Sequence, residues 1–279
     1  MSPIRLSSEL VEIGELTYIA ARRRVDGGGT QGTRVPILRA TASGLPERLP
    51  SVVLTSDLQG RLDGDGILAG VALVSIMESL ALQNLVPPLA SMGVVFAGDL
   101  FAEPLRGRAR NGDARPVWRA WSAVARFVVG VAGNHDHLGE SGDFASDYCQ
   151  FASEEAGSLL HGDVVEHGGL RIGGVSGVVG QEGRYARSSE EEFARVLRRA
   201  LREKPDLLVM HEGPDDPDRG QLGNPEVRRV VAEARVPLVV CGHRHWDTPV
   251  AALTDHTHVI NVDNRVVVLV AEHAEVAPW

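Results

Sequence analysis

The sequence predicts an α/β protein in which mixed β-sheets are flanked by helices, and three observations carry that prediction. Five short apolar runs, residues 52–55, 94–97, 127–132, 206–210 and 237–241, have the length and continuity of strands buried on both faces. Helical stretches at 67–85, 116–126, 188–203 and 225–234 separate most of them, the alternation expected when helices pack outside a sheet. Each run also ends in a polar cluster, and in an open α/β sheet such clusters collect at the carboxyl edge, where ligands bind.

The first fifty residues read differently. Alternating stretches at 16–20 and 34–38 flank a glycine-rich turn at 27–29, which predicts a β-hairpin, and a proline-containing linker follows at 44–50. No chemistry is visible there, and an added edge strand or an oligomer contact is the expectation. Residues 1–50 are therefore set apart as a β-rich N-terminal extension, and 51–279 as the domain that carries the site. Among the helices, 188–203 has the clearest start. Ser188 and Ser189 precede three glutamates at 190–192, which complement the positive end of the helix dipole. Two β-rich segments, 164–179 and 248–270, interrupt the alternation and make the sheets mixed.

Composition bounds the function. With 279 residues, 43% of them hydrophobic and 23% charged, the chain can bury a sizeable core and is not disordered. No apolar run reaches the ~18–20 residues of a membrane span, and the N-terminus lacks a basic head followed by an apolar stretch. A cytoplasmic protein without a membrane partner is the expectation. The net charge of −9 argues against long nucleic acid as a partner, although a nucleotide stays open because bound cations can supply local positive charge. Cys149 and Cys241 stand alone, as thiols do in a reducing compartment.

The polar clusters are specific. The first run leads into Ser56-Asp57-Leu58-Gln59-Gly60, the second into Gly98-Asp99, and the third into Gly133-Asn134-His135-Asp136-His137. The fourth ends at His211-Glu212 and the fifth at Gly242-His243-Arg244-His245. Asp, Asn and His are donors suited to divalent metals, and the intervening glycines let the backbone turn sharply towards a ligand. Asp57, Gln59, Asp99, Asn134, His211, His243 and His245 are too many donors for one ion and suit two, an arrangement that clamps a phosphate. Singly, Asp57 or Asp99 would read as a cap or turn residue and His211 as a core histidine; five clusters in this order do not.

On these residues the sequence resembles the calcineurin-like metallophosphoesterase superfamily, from about residue 51 to 270. The resemblance implies an αββα sandwich with a two-metal centre at one end. Carried over residue by residue, Asp99 bridges both ions, Asp57, Gln59 and His245 complete one shell, and Asn134, His211 and His243 hold the other. His135 faces the phosphate and protonates or stabilises the leaving oxygen, and Asp136 orients His135. The departure is Gln59, where the family usually has histidine. A glutamine oxygen is a weaker donor to Zn²⁺ than imidazole, so two divalent ions with Mn²⁺ ahead of Fe, Zn²⁺, Mg²⁺ or Ni²⁺ are expected. Alternatively, Gln59 hydrogen-bonds a bound water.

The expected reaction is metal-dependent hydrolysis of a small phosphodiester or nucleotide, by attack of a metal-activated hydroxide on phosphorus. The alternatives are a phosphomonoesterase, or a non-catalytic interaction protein on the same fold. Arg61, just after the first cluster, and Arg184, in the loop 180–189, are candidates for substrate contact.

Overall fold

The computed structural model describes residues 2–21, 28–62, 66–103 and 111–276. Two sheets form its centre. The first has nine strands. Ser158–Leu159, Phe127–Gly130, Gly93–Phe96 and Ser51–Ser56 lie parallel, followed in order by Arg265–Ala271, Thr30–Ser43, Val11–Ala21 and Gly60–Arg61. Arg265–Ala271 is antiparallel to Ser51–Ser56 and parallel to Thr30–Ser43, so the sheet is mixed; Arg5–Leu6 pairs with Thr30–Ser43 off this path. The second sheet runs Asp163–His167, Leu170–Val175, Leu207–Glu212, Leu238–Gly242, His258–Asn261 and Val250–Ala252, with its four middle strands parallel.

Alternation along the strands separates the layers. In Ser51–Ser56, Val52 and Leu54 face a core shared with Val209 and Val240 of the second sheet, while Val53 faces the helices of the first. Helices α1 (Ala69–Leu82), α2 (Arg115–Ser122) and α3 (Phe144–Glu154) lie over the first sheet. Helices α4 (Glu190–Arg202) and α5 (Pro225–Ala234) lie over the second. The layers are thus helix, sheet, sheet, helix, the αββα sandwich. Under α2, Trp118 and Trp121 set their rings edge-on to Phe96, and Trp121 Nε1 donates to Gly70 O at 2.9 Å.

All five expected strands and four expected helices form, shifted by a few residues at their ends. Ser189 caps α4, its side chain accepting from Glu192 N. Helix α3 is absent from the sequence reading; it starts where Asp143 caps Ser146 N, and it buries only Asp147 and Phe151, too short a face to show periodicity. The N-terminal stretches pair as an antiparallel hairpin, Val11–Ala21 with Thr30–Ser43, longer than expected. They continue the first sheet beyond Arg265–Ala271. Gly27, the first residue of the expected turn, lies outside the described residues, as do 22–26.

Candidate metal centre

The carboxyl ends of the parallel strands bring the clusters together. Asp57, Asp99 and His243 follow their strands with φ of 56°, 56° and 65°, a left-handed conformation that is strained for residues other than glycine. That turn reverses the chain at once and keeps each side chain at the sheet edge. Gly133 serves the same end: a Cβ there would lie 1.9 Å from Asp99 Oδ1. Asp57, Gln59, Asp99, His135 and His243 line one cleft of about 460 Å³, whose other wall comes from Tyr18, Gln31 and Thr33 of the hairpin.

Asp99 is the hub. Its Oδ1 accepts from His135 N at 2.8 Å, its Oδ2 accepts from Gln59 Nε2 at 2.7 Å, and His211 Nε2 lies 3.3 Å from Oδ2. Ligand atoms of Asp57, Asp99 and His211 all lie within 4.8 Å of one another. Among the described residues, Asn134 Oδ1 and His211 Nε2 are buried and find no hydrogen-bond partner, which is costly unless a cation is their partner. His211 Nδ1 lies 2.7 Å from Ala97 O, so Nδ1–H donates to that carbonyl and Nε2 is the ligating atom. His243 adjoins it, with ring centroids 5.1 Å apart. Asp57, Asp99 and His211 therefore fit a divalent cation.

These buried groups perturb one another strongly. Burial works against the Asp99 charge, but His211 outweighs it and holds the carboxyl down to about 2. Burial likewise opposes a charge on His211, yet Asp99 and then Asp57 raise it to about 10. Burial and the His211 charge press His243 down to about 3, leaving its imidazole neutral as a ligand must be. The Asp57 carboxyl is pushed well above the usual range, first by burial and then by the Asp263 carboxylate.

Several candidate residues have other partners in the structure. No hydrogen bond among the described residues links Asp136 to the His135 ring. Its carboxylate is buried and accepts from four backbone N–H groups, Asp99 and Gly133 on Oδ2, Leu100 and Phe101 on Oδ1, so it ties the second cluster to the third. Burial and then Asp99 push it up to about 6. Gln59 donates to Asp99 rather than offering an oxygen. His245 is half exposed and has both nitrogens engaged: Nδ1 is 3.4 Å from Asp263 Oδ1, and Nε2 accepts from Arg265 Nη2 at 3.1 Å. Arg61 is committed elsewhere, donating to Ala102 O and Gly66 O and stacking on Phe101. Arg184 lines a different cavity of about 300 Å³, with Phe144, His161 and Tyr185.

Three residues escaped the sequence reading. Asn111 Nδ2 donates to Asn134 O at 3.0 Å, which turns its Oδ1 to His135 Nδ1 at 3.1 Å. Asp263 lines the cleft, and Tyr18 OH donates to Asn264 Oδ1 at 2.8 Å. Asp263 and Asn264 lie inside the β-rich segment 248–270, the only sign that the sequence offered.

A family model described as calcineurin-like phosphoesterase matches residues 51–247. With the metal-ligating group in place, the chain belongs to this family of metal-dependent phosphoesterases. No curated protein sequence matches it. Among solved structures, the protein TT1561 of Thermus thermophilus is similar with a TM-score of 0.53 at 13% identity, over 77% of this chain and 90% of that one. A phosphopantetheinyl hydrolase from Mycobacterium tuberculosis covers the same shares at 17% identity with a TM-score of 0.47. At 13% identity the likeness to TT1561 concerns the fold alone. No helix among the described residues is long and apolar enough to cross a membrane.

Proposed function

We propose that the protein hydrolyses a small phosphodiester, with a phosphomonoester the weaker substrate, at a centre that binds two divalent ions with Mn²⁺ preferred. The observation that carries this reading is the pair of buried, unbonded donors, Asn134 Oδ1 and His211 Nε2, beside Asp99. Divalent ions held there supply Lewis-acid charge to phosphoryl oxygens and an activated water for in-line attack. The protein's own contribution is position. Ala97 O fixes the His211 tautomer, Asp136 fixes the backbone that carries Asp99, and the hairpin closes one side of the cleft. His135 holds a proton on Nδ1 against Asn111 and lines the cleft, as a group that stabilises or protonates the leaving oxygen would.

The cleft volume suits a small organophosphate. The test is hydrolysis of a bis-aryl phosphodiester and an aryl monoester by metal-stripped protein titrated with Mn²⁺. Mn²⁺-dependent turnover favouring the diester, and lost in Asp99→Ala, is expected. No turnover with Mn²⁺, Mg²⁺, Zn²⁺ or Ni²⁺ would contradict the proposal.

A further inference from the structure

We propose that the N-terminal hairpin is the specificity element of the cleft, and that Gln31 and Thr33 on it bind a neutral, amide-like group on one ester arm of the substrate. The inference rests on the phosphodiester reading above and narrows its substrate class. The hairpin lies outside residues 51–247, the segment that matches the family.

Strand register puts the two side chains at the cleft. Val11–Ala21 and Thr30–Ser43 pair antiparallel, with Tyr18 opposite Thr33 and Ala20 opposite Gln31. Residues two apart on a strand share a face, so these two cross-strand pairs look the same way. All four residues line the cleft that also holds Asp57, Asp99 and His135.

The hairpin is held there at contact distance. Ile19 and Ala20 pair with Arg61 and Gly60, in the segment that follows Asp57 and Gln59. A Cβ on Gly60 would lie 1.9 Å from the Tyr18 ring, so a glycine is what lets the hairpin come this close. Tyr18 OH donates to Asn264 Oδ1 at 2.8 Å and lies 3.4 Å from Asp57 O, which ties the hairpin to two further segments of the cleft. A wall fixed in this way to the loop that carries Asp57 can select the arm of a phosphodiester seated at the metal centre.

The chemistry of the wall names the group. Thr33 Oγ1 is buried without a hydrogen-bond partner among the described residues, and the exposed Gln31 side chain makes no bond either. A buried hydroxyl left unbonded is costly, and rotation about the Thr33 χ1 bond brings it towards the cleft when a ligand offers a partner. Hydroxyl and carboxamide each donate and accept, so together they match a group that does the same. No charged hairpin side chain among the described residues lines the cleft. Arg34, next to Thr33, falls on the opposite face of the strand and pairs with Glu12 and Glu15. The wall therefore offers no counter-ion to a carboxylate or a second phosphate, whereas an amide finds both a donor and an acceptor.

The test is competitive inhibition of bis(p-nitrophenyl) phosphate hydrolysis by the Mn²⁺-loaded full chain, with three symmetric diesters of equal arm length: bis(acetamidoethyl), bis(isohexyl) and bis(carboxypropyl) phosphate. Symmetric arms make the result independent of which arm meets the hairpin. Wild type should bind the amide diester about tenfold more tightly than either of the others, through hydrogen bonds made to it alone. Thr33→Val and Gln31→Leu should each reduce that preference about threefold, the two together should abolish it, and Thr33→Ser should keep it. The Mn²⁺-induced rise in Tm should be the same in all four variants, as expected when only the substrate wall is altered. Equal inhibition by the amide and isohexyl diesters in wild type, tighter binding of the carboxylate diester, or an amide preference that survives in the double variant would overturn the assignment. A wild type that hydrolyses no bis(p-nitrophenyl) phosphate would instead sink the phosphodiester reading beneath it.

Discussion

Replacing Asn111 by aspartate places a carboxylate about 3 Å from the His135 ring, and replacing it by alanine removes the ring's only partner among the described residues. The orientation of Asn111 is settled by its own second bond, Nδ2 to Asn134 O, so Oδ1 accepts and His135 Nδ1 carries the proton. A neutral, solvent-facing hydrogen bond contributes about 0.5–1.5 kcal/mol net. Asn111→Ala should therefore lower kcat roughly 2- to 10-fold by letting the ring rotate, with little change in KM or in Mn²⁺ affinity. Asn111→Asp restores the acceptor. The assay is kcat for phosphodiester hydrolysis, read beside KM and Mn²⁺ affinity. Asn111→Asp should recover most of the alanine loss. An Asn111→Ala enzyme with unchanged kcat, or an aspartate variant as slow as the alanine one, would refute the positioning of His135 by Asn111.

Other consequences are equally direct. His161 is held neutral down to about pH 4, by burial first and then by Arg199, against a usual 6.5. Below pH 6.5 the unfolded chain binds a proton that the folded one refuses, so stability falls as pH drops from 6.5 towards 4, by about 3 kcal/mol at most. Urea titrations at pH 7 and pH 4.5 should show this loss reduced in His161→Leu; an equal loss in both would discount the assignment. Tyr18→Phe should cost about 1 kcal/mol in the same titration by leaving Asn264 Oδ1 without its donor, and a neutral result would mean water replaces it. Arg184→Ala should leave kcat/KM within about twofold of wild type, because Arg184 lines a separate cavity; a tenfold loss would reinstate it as a substrate contact.

Most of the sandwich and the centre of the site were legible in the sequence, for a common reason. Parallel strands buried on both faces appear as unbroken apolar runs, and the residue after each run has to lie at the sheet edge, so Asp57, Asp99, Asn134, His211 and His243 could be placed together from spacing alone. Helix α3 was not legible because it buries two residues in eleven. The side chains around the centre were not legible either, because their partners come from distant segments. Asp136 has the right neighbour in sequence to hold His135, but nothing there foretells the four N–H groups converging on it. His245 fits a ligand pattern, but its contact with Arg265, twenty residues later, is not written in it. Asn111 and Asp263 are brought in by pairing, Gly112 beside Asp136 and Asp263 beside Ser56. The hairpin carries no motif, and its contribution to the cleft follows only from its place beside Arg265–Ala271.

We propose that a divalent cation held by Asp57, Asp99 and His211 is what makes this protein a phosphoesterase. It is tested most directly by adding Mn²⁺ stepwise to metal-stripped protein while following Tm and diester hydrolysis in the same samples. A cation that binds only the folded state raises Tm with its occupancy, so stabilisation and turnover should rise over the same Mn²⁺ range, and both should flatten in His211→Gln. Full turnover in the metal-stripped protein, or a His211→Gln variant that responds to Mn²⁺ as wild type does, would contradict it.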